Sequence, residues 1–149
     1  MEILRKVATF GASIDDKKQI YIMYVRSLLG QSATVWHSSL SAQNRRDLER
    51  VQKSAIKIIL GNQYIGYQKS LEKLGMETLD DRRESLCLRF ALKCTKNPTT
   101  KHMFPENKKK MKTRHSEKYV VQFAHAERLR KSAIIYMQNQ LNNHEKMKR

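Results

Sequence analysis

The run SAQNRRDLERVQKSAIKIILG, from Ser41 to Gly61, decides the fold class. Leu48, Val51, Ala55, Ile58 and Ile59 recur in it at helical spacing, so it predicts a helix from about Ala42 to Leu60 with those residues facing inward. The preceding Ser38-Ser39-Leu40-Ser41 offers several N-caps, and Gly61-Asn62 offers a C-terminal stop. Its cations have a pattern of their own. Arg46, Arg50, Lys53 and Lys57 follow a 4-3-4 spacing that draws one continuous stripe along a helix, with Arg45 beside it. Asp47 and Glu49 partly offset this charge, so a solvated helix face with local pairs competes with a phosphate-tracking role.

The same grammar extends in both directions. Ser13 precedes Ile14-Asp15-Asp16, a cap followed by two carboxylates in a first turn, where the positive helix end favours them. Ile20, Tyr21, Tyr24, Val25, Leu28 and Leu29 continue it, until Gly30-Gln31-Ser32 weakens the helix. Ala33, Val35 and Trp36 form a second apolar stretch. Downstream, a short helix is expected at Gln68–Leu74, closed by Gly75. Thr78 then caps a helix from Leu79 to about Lys96, burying Leu79, Leu86, Cys87, Phe90, Ala91 and Cys94, with Asn97-Pro98 ending it. Ser132 caps a last helix to about Asn142, with Ile134, Tyr136, Met137 and Leu141 on its apolar side, and the tail from Lys146 is expected to fray. Tyr119-Val120-Val121 is β-leaning but too short to found a sheet.

Residues 99–118 differ in kind, with the run Lys108-Lys109-Lys110-Met111-Lys112 and almost no apolar content, so they read as a mobile basic loop. The fold class is therefore all-α, about five or six short helices in an irregular bundle. The expected division is a helical region at 1–97, a basic flexible linker at 98–118 and a carboxy-terminal helical segment at 119–149.

The 149 residues carry 30 Lys+Arg against 14 Asp+Glu, a formal charge of +16. Such an excess favours a polyanionic partner, usually nucleic acid or an anionic membrane surface. No apolar run approaches the roughly 18 residues of a membrane span, and Met1–Phe10 holds Glu2, Arg5 and Lys6 where a signal peptide would be apolar. A membrane or secreted protein is not expected; an intracellular one, nuclear or cytoplasmic, is. Cys87 and Cys94, the only two cysteines, would lie roughly 10 Å apart on one helix, too far for a bridge.

Catalytic and metal-binding readings find little support. Asp15-Asp16 and Asp80-Asp81 follow Ser or Thr caps, and adjacent helical residues do not face one another. His37, His102, His115, His125 and His144 lack ligand-spaced partners, so they are expected on the surface or in loops. No Gly-rich phosphate loop is present. No cofactor or metal is expected. Tyr21, Tyr24, Trp36, Tyr64, Tyr67, Phe90 and Tyr136 fall mostly at apolar-face positions and are expected in the core. The candidate sites are then cationic: Arg45, Arg46, Arg50, Lys53 and Lys57 on the central helix, and Lys108, Lys109 and Lys110 in the loop. The loop lysines also match a simple nuclear-localisation pattern.

Several stretches together resemble one family. Ile20-Tyr21, Tyr24-Val25-Arg26 and Val35-Trp36-His37-Ser38-Ser39-Leu40 are followed by Asp47-Leu48-Glu49-Arg50-Val51-Gln52-Lys53 and Ile59-Leu60-Gly61. Then come Leu71-Glu72-Lys73-Leu74-Gly75, Leu79-Asp80-Asp81-Arg82-Arg83, Lys118-Tyr119-Val120-Val121 and Arg130-Lys131-Ser132-Ala133-Ile134. In order and spacing, from about Leu4 to Asn142, this resembles the region after the palm in reverse transcriptases of jockey-like non-LTR retrotransposons. The family commonly has Pro where Ser27, Gln122 and Ile135 stand, departures that suggest a sequence released from strict constraint. The polymerase carboxylates of that family lie on the palm, in an aromatic-Ala-Asp-Asp hairpin that this chain lacks.

The resemblance implies a thumb-like region at 1–97 and a post-polymerase segment after it, a carboxy-terminal fragment of an RNA-directed DNA polymerase with no catalysis of its own. It implies backbone contact with RNA or an RNA–DNA duplex, without sequence preference, and the palm of a reverse transcriptase as a second partner. The competing expectation is a structural or protein-interaction fragment, a truncated or host-repurposed copy with no nucleic-acid role.

Overall fold

The computed structural model describes residues 1–108 and 117–148. Its helices are α1 (Glu2–Thr9), α2 (Ile14–Ile20), a π-helical turn (Tyr21–Arg26), α3 (Ser27–Gly30), α4 (Ala33–Trp36), α5 (Ala42–Leu60), α6 (Tyr67–Leu74), α7 (Leu79–Lys96), α8 (Glu127–Arg130) and α9 (Ala133–Met147). Among the described residues there is no strand, only an isolated antiparallel bridge between Glu106 and Tyr119. The chain is all-α. No described helix is long and apolar enough to cross a membrane.

Contacts divide the chain into two units, one of Met1–Ala33 with Leu40–Arg83, the other of Thr34–Ser39 with Glu84–Arg149. The boundaries expected at 98 and 118 do not coincide with this division.

In the first unit α5 packs against α1, α2 and α6. Its start is set by Ser41, whose Oγ accepts the Asn44 N–H at 3.1 Å. Its buried residues are Gln52, Ala55, Ile56, Ile59 and Leu60, so the inward face is turned from the expected one. Ala55 and Ile59 are buried as expected, whereas Leu48, Val51 and Ile58 are half-buried. A glutamine takes a core position because its amide is paired. Gln52 Oε1 accepts the Tyr21 hydroxyl at 2.9 Å, and its Nε2 donates to the Tyr67 hydroxyl at 3.1 Å and the Glu77 carbonyl at 2.9 Å. Tyr67 in turn donates to Glu49, whose Oε1 also accepts the Leu79 N–H at 3.3 Å, at the start of α7. Burial first, with Glu49 among the further causes, pushes the Tyr21 and Tyr67 phenols above their ordinary value.

The π turn corrects the reading of the first long helix. Tyr21 and Arg26, five residues apart, are its buried residues, while Tyr24 and Leu28, expected inside, are 63% and 68% exposed. The wider turn inserts a residue into the 3.6 period and rotates the side chains beyond it about the helix axis. Arg26 donates to the Glu77 carbonyl at 3.1 Å and lies 3.7 Å from its carboxylate, and burial lowers its pKa. The Ser27 hydroxyl donates to the Met23 carbonyl four residues back, where the π turn passes into α3. A proline there would clash with that carbonyl. α1, absent from the elements expected of the sequence, buries Leu4 into the same core.

α6 ends as expected at Gly75, whose φ of 59° and ψ of 42° lie in the left-handed region. Met76 N–H returns to the Leu71 carbonyl at 2.9 Å and Gly75 N–H to Glu72 at 3.0 Å. This is a Schellman closure, with Leu71 and Met76 together in the core.

The second unit has a core of Cys87, Ala91, Cys94, Phe104, Tyr119, Met137 and Leu141. Three expectations fail here. Phe90 is 45% exposed instead of buried. Residues 99–118 are not simply a solvated loop, because Phe104 is 1% exposed and the bridge is closed by Asn107 N–H to Lys118 O (2.7 Å) and Val120 N–H to Pro105 O (2.9 Å). An aromatic ring in a core holds its neighbours with it; residues 109–116 lie outside the described part. His37, expected at the surface, is 0% exposed, its ring edge-on to Tyr136 at 5.5 Å between centroids.

α9 carries the unit's polar framework. Gln138 and Asn142, one turn apart and buried, hold the extended segment next to the bridge. Gln138 accepts the Gln122 N–H at 3.1 Å and donates to the Met103 carbonyl at 2.8 Å. Ser132 stands at the N-cap position, but its side chain makes no capping bond. The helix runs to Met147, past the expected end and through part of the expected frayed tail.

Candidate nucleic-acid interface

α5 presents its two long sides to different environments. The inner side carries the Gln52 network. On the outer side Arg46, Arg50, Lys53 and Lys57 are all exposed, so the spacing read from the sequence becomes a real stripe. At 1.5 Å per residue it runs roughly 16 Å along the axis.

Arg45 does not belong to it. Its Nη1 reaches both oxygens of Asp80 at 3.2 and 3.1 Å, and its side chain is 32% exposed. Its role is to tie α5 to the first turn of α7, beside the Thr78 cap, whose Oγ1 accepts the Asp81 N–H at 3.1 Å.

Within the stripe the first two cations are oriented by neighbours. Gln43 accepts from Arg46 Nη2 at 2.8 Å and donates to Asp47, and Asp47 pairs with Arg50 at 2.9 Å. The Arg50 side chain is 72% exposed, so water screens this pair and leaves the guanidinium accessible to a second anion. Glu49 does not offset the stripe as expected, since it is turned to Tyr67. Lys57 closes the row with its Nζ 5.6 Å from the centroid of the Tyr64 ring. The arrangement offers separate cations on a rigid rod, suited to successive phosphates and carrying no base-reading geometry.

The loop candidates are distributed differently. Lys108 is exposed and belongs to the other unit; Lys109 and Lys110 lie outside the described residues. The carboxylate pairs serve structure: Asp16 and Asp81 bond their caps, and Asp80 meets Arg45 and Arg83. Among the described residues no three His, Cys, Asp or Glu side chains gather as a metal site. A second cationic group, outside the sequence candidates, is Arg128, Arg130 and Lys131, all exposed around α8. Its signal in the sequence is the dense Arg-Leu-Arg-Lys run, which no apolar period frames.

No family model, curated protein or solved structure matches the chain.

Proposed function

We propose that this chain binds RNA or an RNA–DNA duplex by its phosphate backbone, without sequence preference. On this reading it is a thumb-like and post-polymerase fragment of a non-LTR retrotransposon reverse transcriptase. The observation that carries the binding reading is the exposure of Arg46, Arg50, Lys53 and Lys57 together on one face of α5. The charge of +16 supports it. The phosphoryl transfer of such a polymerase belongs to a palm that would be the partner of this chain, which alone performs no synthesis. The setting is intracellular, nuclear or cytoplasmic.

Titration of a fluorescent RNA–DNA duplex across salt concentrations tests the reading. Four phosphates neutralised give a log-log slope of about −3.6, or roughly 150-fold weaker binding at 200 mM than at 50 mM salt. Reversing all four stripe charges should abolish that slope. Binding that ignores salt, or none at 50 mM, overturns the proposal.

A second reading has its own support in Met23, Tyr24 and Leu28, each more than 60% exposed on one helical stretch. A non-catalytic interaction fragment would use such a surface to meet a protein partner. Sedimentation over a concentration series tests self-association through it, and the variant Tyr24→Glu/Leu28→Glu should then remain monomeric.

A further inference from the structure

Phe123 is 81% exposed, yet the backbone that carries it is held in place. The preceding residue, Gln122, has its N–H fixed by the buried amide of Gln138 at 3.1 Å. On the other side His125 meets the phenyl ring edge-on, 4.7 Å between centroids and 88° between planes. The contact steadies the ring while covering little of it. The hydrophobic effect works against leaving a positioned aromatic ring in water, so such a ring is suited to gain from being stacked upon.

The charges nearby say what would stack. Arg128, Arg130 and Lys131 lie within eight residues of it and are all exposed. Lys131 is paired with Glu127 at 2.7 Å in an exposed, water-screened contact, and Arg128 and Arg130 add two further exposed cations to meet an anion. An exposed aromatic face followed within eight residues by exposed guanidinium groups matches a nucleotide, whose base stacks while its phosphates take the charge. A lipid surface fits less well. The acid Glu127 stands among the cations, and α8 is a single short turn without the long apolar stripe of an interfacial helix.

We infer that Phe123 and His125 form a stacking platform for an unpaired base, with Arg128 and Arg130 on the adjoining phosphates, so that the second unit binds single-stranded nucleic acid. This rests on the nucleic-acid reading above and deepens it, assigning single strands to a different element from the α5 stripe. A duplex hides its base faces in the stack, so the platform discriminates by strandedness.

The test uses the full chain, a fluorescent ten-nucleotide oligo-U and a blunt RNA–DNA duplex. Phe123→Ala should weaken oligo-U binding about 5- to 150-fold, the range for loss of one stacked base, and leave duplex binding unchanged. Phe123→Trp should keep the affinity and show indole quenching when oligo-U is added. Circular dichroism should be the same for all three proteins, because the ring is exposed. Equal oligo-U binding by wild type and Phe123→Ala overturns the platform while the duplex reading survives. A wild type that binds neither ligand overturns both. Binding of phosphatidylserine vesicles that Phe123→Ala loses, with oligo-U binding unaffected, overturns the platform in favour of a membrane contact.

Discussion

Asn142 holds both backbone groups of Tyr119: its Oδ1 accepts the Tyr119 N–H at 2.9 Å and its Nδ2 donates to the Tyr119 carbonyl at 3.0 Å. A helix side chain thus does for an extended segment what a neighbouring strand would do, in an all-α fold. Asn142→Ala leaves two buried backbone groups unpaired, at about 1–3 kcal/mol each. Urea unfolding should register a loss of about 2–6 kcal/mol, and the Tyr119 amide should lose its protection from hydrogen exchange. A loss below about 0.5 kcal/mol would show that water replaces the amide.

Tyr21 and Tyr67 set an alkaline limit on the first unit. Both phenols are held above their ordinary value by burial, so the unfolded chain releases their protons near pH 10 while the folded chain retains them. Their contribution is complete below about pH 10 and is lost as pH rises beyond it. Absorbance at 295 nm, followed with circular dichroism, should show these two ionisations only as the helices unfold. Ionisation of both ahead of unfolding would contradict the network.

Neighbouring arginines should separate stability from binding. Arg45→Glu removes the bond to Asp80 and opposes a carboxylate to it, so thermal stability should fall by about 1–3 kcal/mol. Arg46→Glu should leave stability within about 0.5 kcal/mol and weaken duplex binding instead. Thermal melts and duplex titrations on both variants check the contrast; an Arg45→Glu protein that melts like wild type counts against the tie to α7.

Gly75→Ala should cost about 1 kcal/mol, read as a lower urea midpoint with an unchanged slope. Nothing lies within 4 Å of the added methyl group, so the effect is conformational alone.

Cys87 and Cys94 are buried thiols. A thiol reagent should find neither in the native protein and both in guanidinium chloride. Rapid labelling under native conditions would place them outside the core.

The contrast between legible and hidden features is consistent. Ser13, Ser41 and Thr78 announce helix starts because a cap is a local bond between residues three apart, and all three bonds form. The bounds of α5 and α7 come from such punctuation. Core membership is harder to read, because it depends on partners far away in sequence. Gln52, Arg83 and Asn142 look like surface residues, yet each is buried. The aromatics divide in the same way, with Tyr21 inside and Tyr24 outside, because one added residue in the π turn is invisible to a 3.6 period. The stripe is readable for the opposite reason. Exposed charges on a regular helix need only the spacing, and Arg45 leaves the set because Asp80 claims it from another element.

The short segment Thr34–Ser39 belongs with Glu84–Arg149, although the chain on either side of it belongs elsewhere. This dictates an order of assembly. A ribosome delivers every residue of the first unit once Arg83 has emerged, but His37 must wait for Tyr136. Over that interval a residue destined for full burial stands in water, and an interrupted translation product never covers it. Cutting the gene at the boundary between Arg83 and Glu84 therefore cannot yield two self-sufficient halves. Only a permuted chain, or a clone that carries residues 34–39 into the second piece, would give that unit all of its parts.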